Sequence, residues 1–84
     1  MNKISHRDTL IETISTAIEK SGQDDPTYDN IQKSRDILDV LENLLAYAIC
    51  NTSISTDTIR DSCEESYVNI KRRALAMFEQ EQKP

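Results

Sequence analysis

The chain has 84 residues, and its 10 Lys and Arg against 15 Asp and Glu give a formal net charge of −5 at pH 7. A chain of this length folds as one small domain at most, so we expect a single domain over residues 1–84. One Gly, two Pro and no Trp provide few turn residues and few aromatic surfaces, which argues against a β-fold. The negative charge argues against a general attraction to nucleic acid or to anionic lipid.

The first predicted helix covers about residues 5–20. Ser5 is the expected N-cap, with Asp8 three residues later in the first turn. Gly22 is placed to end the helix in the left-handed conformation. The apolar residues recur with a helical period and form one stripe, which consists of Leu10, Ile11, Ile14, Ala17 and Ile18.

The second predicted helix covers about residues 26–50. Asp25 is a possible N-cap, and Pro26 suits the first helical position because its missing N–H is not needed there. Between Ile37 and Ile49 the apolar residues cover more of the circumference than one stripe, so this segment must be buried on several sides. It is either the centre of a helical bundle or the contact with a second copy. The candidate dimer core is Ile37, Leu41, Leu44, Leu45 and Ile49.

The third predicted helix covers about residues 56–80 and is followed by a tail at 81–84. Ser55 is the expected N-cap, and Ile54 and Ile59 have the spacing of a hydrophobic staple. The short link to the second helix predicts an antiparallel hairpin, with the first helix packed across it. One apolar face runs through Ile59, Cys63, Tyr67, Ile70, Ala74, Met77 and Phe78. We therefore expect an all-α, three-helix domain that forms an intertwined or bundle-like homodimer.

The sequence contains no constellation of residues typical of catalysis. His6 is the only histidine and has no cysteine near it, and no catalytic, nucleotide-binding or EF-hand motif occurs. Cys50 and Cys63 lack a CxxC spacing, and Cys63 lies on the apolar face, so we interpret it as a small core residue. We expect no enzymatic activity, no cofactor and no metal. With no apolar leader after the first residues and no apolar stretch long enough for a membrane span, a cytoplasmic location is expected.

The charges divide the chain into an acidic middle and a basic end. Residues 21–68 carry three basic and ten acidic side chains, whereas residues 69–84 carry four basic and two acidic ones. The acidic residues are either a solvated face or a surface that binds a basic protein or imitates nucleic-acid phosphates, while metal binding is the least favoured interpretation because no EF-hand register occurs. The candidate protein-binding face consists of Asp36, Asp39, Asp57, Asp61, Glu64 and Glu65. The basic cluster, which is Lys71, Arg72 and Arg73, either balances these acidic segments or contacts a nucleic-acid backbone.

The size and hairpin layout are similar to those of small helical dimers of bacteria, phages and plasmids, some of which bind RNA. No diagnostic string of residues accompanies this likeness of architecture, so no functional residue is transferred. The sequence favours a small, acidic, non-enzymatic regulator or adaptor that forms a homodimer and binds another protein through its acidic face or an apolar groove. The alternative is a dimeric nucleic-acid-binding regulator that uses Lys71, Arg72 and Arg73.

Overall fold

A computed structural model describes residues 5–82, which contain three α-helices and no β-strand. These are α1 (His6–Lys20), α2 (Asn30–Thr52) and α3 (Thr56–Gln82). The predicted all-α class with three helices is therefore confirmed. The chain divides into two compact units, Met1–Glu42 and Asn43–Pro84, and the boundary falls within α2.

In the first unit, α1 begins and ends where the capping residues predict. The Ser5 side-chain oxygen accepts a hydrogen bond from the backbone N–H of Asp8 at 3.0 Å, which satisfies one of the open donors of the first turn. The backbone N–H of Ser21 closes the last turn, on Ala17 and Ile18. Gly22 then has a φ of 75°, the left-handed conformation expected after a helix end.

The predicted start of the second helix at residue 26 is wrong. The Asp25 carboxylate accepts hydrogen bonds from the backbone N–H of Thr27 at 2.9 Å and from its hydroxyl at 2.6 Å, which forms a local turn that includes Pro26. The N-cap of α2 is Asp29, whose carboxylate accepts from the backbone N–H of Gln32 at 2.8 Å. Both Asp25 and Asp29 can act as N-caps. Because the Asp25 carboxylate bonds to Thr27 in the turn, the helix begins after Asp29.

In the second unit, side-chain hydroxyls organise the link between α2 and α3. Ser53 donates to the carbonyl oxygen of Ile49 at 2.7 Å, at the end of α2. Ser55 caps α3 as predicted, because its hydroxyl accepts from the backbone N–H of Thr58, while the Thr58 hydroxyl accepts from the backbone N–H of Ser55. The predicted staple is wrong, since Ile54 is 93% exposed and its backbone is fixed by Thr58 instead.

Within residues 5–82, Ile49 is the one buried hydrophobic residue, at 8% exposure. The half-buried positions along the first part of α3 are Thr58, Ile59, Ser62, Ser66 and Asn69. Cys63 is exposed, so its interpretation as a core residue is wrong. α3 turns its small and polar side inward and leaves most of its apolar face accessible.

α3 ends at Gln82, two residues later than predicted. Residues 83 and 84 of the predicted tail lie outside the described residues.

Candidate protein-binding surfaces

Asp36, the first residue of the predicted acidic face, is half-buried and holds the loop between α1 and α2. The Tyr28 hydroxyl donates to Asp36 Oδ2 at 2.6 Å, and Gln32 Nε2 donates to Asp36 Oδ1 at 2.9 Å. The hydrogen bond from Tyr28, followed by that from Gln32, lowers the pKa of Asp36. The same bond to Asp36 raises the pKa of Tyr28. Asp36 thus has an internal structural role.

Two further contacts fix this loop. A Cβ on Gly22 would overlap the ring of Tyr28, so the ring lies directly against the glycine backbone. Lys33 Nζ donates to the carbonyl oxygen of Glu19 at 3.1 Å, which places a cation at the negative C-terminal end of α1. Sequence reasoning missed the role of Tyr28, and the eight-residue spacing to Asp36 gives no motif that signals it.

The other acidic residues of the predicted face are exposed. Asp39 belongs to the first unit, while Asp57, Asp61, Glu64 and Glu65 belong to the second and lie on the N-terminal half of α3. Asp57 forms an ion pair with Arg60 one turn away, with 3.4 Å between Oδ1 and NH1. Both side chains are well exposed, so this pair contributes little to stability. Exposed carboxylates on α3 are accessible to a basic surface.

The predicted dimer core on α2 has an uneven exposure. Ile49 is buried within the chain itself and Ile37 is half-buried. Leu41, in the first unit, and Leu44 and Leu45, in the second, are exposed. Tyr47 is 70% exposed and follows Leu44 by three residues, so the two share a helix face. This part of α2 offers apolar and aromatic side chains for contact with another molecule.

A second exposed apolar surface runs along α3. We name it the α3 seam, and it consists of Cys63, Tyr67, Ile70, Ala74 and Met77. All five are exposed, and their spacings alternate between four and three residues. Sequence reasoning found this stripe as part of a longer apolar face from Ile59 to Phe78 and interpreted Cys63 on it as a core residue. The small residues Ser62 and Ser66 on the half-buried side were the signal that the helix packs by that side instead.

The basic cluster of α3 is also exposed. Arg72 NH2 donates to Asn69 Oδ1 at 3.2 Å, a contact within the same helix. Lys71 lies beside the α3 seam, on the same flank as Glu64 two turns earlier. The cluster therefore lies on one helix with the exposed acidic residues Asp57, Asp61, Glu64 and Glu65.

Residues 5–82 contain no group of three or more His, Cys, Asp or Glu side chains that could share a metal ion. In this same part of the chain, none of the helices combines the length and hydropathy that a membrane crossing requires. Both cysteines are free thiols at exposed positions.

Comparisons with protein families, curated proteins and solved structures found no match.

Proposed function

We propose that this chain is a non-enzymatic regulatory or adaptor protein that acts as a homodimer and binds another protein through the exposed face of α2. The observation that carries the proposal is the distribution of apolar side chains. Ile49 alone among the hydrophobic residues at 5–82 is buried, while Leu44 is 52% exposed on the helix that was expected to be most buried. Exposed apolar patches of this kind are typical of protein interaction sites.

The chemistry of α2 favours a polypeptide as the partner. Leu44 and Tyr47 lie one turn apart. Leu44 is 52% exposed, so burying the rest of its side chain contributes about 1 kcal/mol, roughly half the value for a fully exposed leucine. A tyrosine adds a large apolar ring whose hydroxyl can remain hydrated or bond to the partner. The exposed carboxylates of Asp61 and Glu65 on α3 favour a partner that carries basic residues. We place this activity in the cytoplasm, because exposed thiols at Cys50 and Cys63 suit a reducing compartment.

Affinity capture from the cells in which the protein occurs tests this proposal. The bait is the full chain, compared with Leu44→Asp and with the matched control Thr56→Asp, which adds the same residue at an exposed site on α3. We expect one protein to be retained by the wild type and by Thr56→Asp, to be lost with Leu44→Asp, and to resist nuclease. Circular dichroism must show that Leu44→Asp remains helical.

Two results would contradict the proposal. Equal capture by all three baits would show that the α2 face does not bind the partner. Capture that nuclease abolishes, and that Arg72→Ala with Arg73→Ala also abolishes, would favour the nucleic-acid alternative.

A further inference from the structure

The α3 seam has the spacing of a helix-pairing surface. Steps of four and three residues from Cys63 to Met77 average 3.5 residues, which is the repeat that keeps one stripe facing a partner helix. Tyr67 and Ile70, at its centre, are exposed by 64% and 54%. The half-buried side, with Ser62 and Ser66, lies about a quarter turn away around the helix. The seam is thus accessible while the other side of α3 packs within its unit.

We propose that the α3 seam pairs with the α3 seam of a second copy of this chain, in antiparallel orientation. The inference rests on the homodimer of the proposed function and gives that dimer an interface. It differs from the sequence prediction, which placed the dimer core on α2 around Leu41 and Leu45. The seam and the Leu44 and Tyr47 face lie on different helices, so the dimer and the partner protein are assigned to different residues.

The charges beside the α3 seam favour a second copy of this chain as the molecule that covers the seam. The N-terminal half carries four acidic residues, Asp57, Asp61, Glu64 and Glu65, with Arg60 among them, and the basic cluster at 71–73 is followed by Glu79 and Glu81. Of these charges, Glu64 and Lys71 lie on one flank of the α3 seam. Antiparallel pairing brings Glu64 of each helix beside Lys71 of the other on this flank, so the two positions are complementary between two copies of the chain.

The same charges select one register of the seam. When Cys63 of one copy lies opposite Ala74 of the other, Tyr67 lies opposite Ile70 and Glu64 approaches Lys71. The two-fold symmetry forms the Glu64 and Lys71 pair twice. A shift of seven residues in one direction brings Glu64 opposite Glu64, and a shift in the other brings Lys71 opposite Lys71. Flanking charges of this kind set partner orientation in paired helices.

A charge exchange in the full chain tests the register. The variants are Glu64→Lys, Lys71→Glu and the double variant, with Glu65→Lys and Arg72→Glu as controls that change the same charges on the outer side of α3. Sedimentation equilibrium at low salt measures the dimer Kd. We expect each single exchange to raise the Kd about tenfold, and the double exchange to restore it, because both attractive pairs are re-formed with reversed sign.

The control variants and the oligomeric state of the wild type show which of the two proposals a negative result contradicts. Glu65→Lys should change the Kd less than Glu64→Lys does, and Arg72→Glu should change it less than Lys71→Glu does. A wild-type dimer whose single exchanges have no effect, or whose double exchange is as weak as the singles combined, would overturn this pairing and leave the homodimer intact. A helical wild type that remains monomeric would overturn both the pairing and the homodimer.

Thiol cross-linking tests the orientation independently. In a Cys50→Ala background, antiparallel pairing separates the two Cys63 residues by about 16 Å along the helix axis, beyond the reach of a disulfide. Mild oxidation should therefore leave Cys63 uncross-linked. Adding Ala74→Cys places a thiol opposite Cys63 of the partner and should produce a covalent dimer. Cross-linking through Cys63 alone would show a parallel pair, and no covalent dimer with Ala74→Cys would also contradict the proposal.

Discussion

The Tyr28 hydroxyl donates a 2.6 Å hydrogen bond to the carboxylate of Asp36, and this contact ties the loop after α1 to the second turn of α2. Its two partners are eight residues apart, and the intervening segment contains the N-cap of α2 at Asp29. The ring of Tyr28 lies on Gly22 at the end of α1. One tyrosine thus connects the end of one helix with the beginning of the next, in a unit that has no buried core residue among those described.

Loss of the Tyr28 hydroxyl should destabilise the first unit. Tyr28→Phe keeps the ring on Gly22 but removes the donor to Asp36, so we expect the melting temperature to fall by a few degrees in thermal circular dichroism. Tyr47→Phe is the matched control, because Tyr47 is 70% exposed, and its melting temperature should stay close to that of the wild type. Equal melting temperatures for all three proteins would show that the hydrogen bond contributes nothing.

The Tyr28 hydroxyl should titrate above the ordinary pKa range of a tyrosine. The bond to Asp36 raises the pKa of Tyr28, so the phenolate should form above about pH 10 in the folded chain. The absorbance titration of the wild type minus that of Tyr28→Phe isolates this group. A difference curve with its midpoint at or below that of free tyrosine would contradict the structure.

The sign of the linked stability follows from the directions of the two shifts. The pKa of Asp36 is lowered, so its contribution to stability is present at neutral pH and is lost as the pH falls through that pKa. The pKa of Tyr28 is raised, so its contribution is lost as the pH rises through it. Tyr28→Phe should therefore be destabilising at neutral pH and have less effect at both extremes, which thermal melts across the pH range would measure.

Gly22 should not tolerate a side chain. Its φ of 75° costs an L-residue about 1–2 kcal/mol, and a Cβ would also overlap the Tyr28 ring, so Gly22→Ala should lower the free energy of unfolding by at least that amount. Chemical denaturation measures the change. In a Tyr28→Ala background the steric part disappears, and Gly22→Ala should then cost less. Additive effects of the two substitutions would show that Gly22 and Tyr28 are not in contact.

The N-cap of α2 should be sensitive to substitution at Asp29. Asp29→Ala removes the acceptor for the backbone N–H of Gln32 and should destabilise the chain by about 1 kcal/mol. Asn30→Ala, the neighbouring exposed position, is the control and should have a smaller effect. Hydrogen exchange at Gln32 should accelerate only in Asp29→Ala. Protection that is unchanged there would place the helix start elsewhere.

The capping residues predicted the helix ends well, whereas the apolar pattern predicted poorly which side chains are buried. Ser5, Gly22 and Ser55 were identified correctly because each satisfies backbone groups within one turn of itself. The start of α2 was misplaced because Asp25 before Pro26 and Asp29 three residues before Gln32 are both patterns that begin helices, and only the turn at Thr27 decides between them. Periodicity located the stripe on α3 but could not show whether the chain itself buries it, since a core face and an exposed interface have the same spacing.

The oligomeric state of the full chain tests the central claim most directly, namely that the exposed apolar side chains of this protein belong to interfaces. Sedimentation equilibrium over a range of micromolar concentrations measures the mass without any substitution. We predict a mass of twice the 9.6 kDa chain, with dissociation on dilution. A helical protein that stays at 9.6 kDa at every concentration would contradict the account.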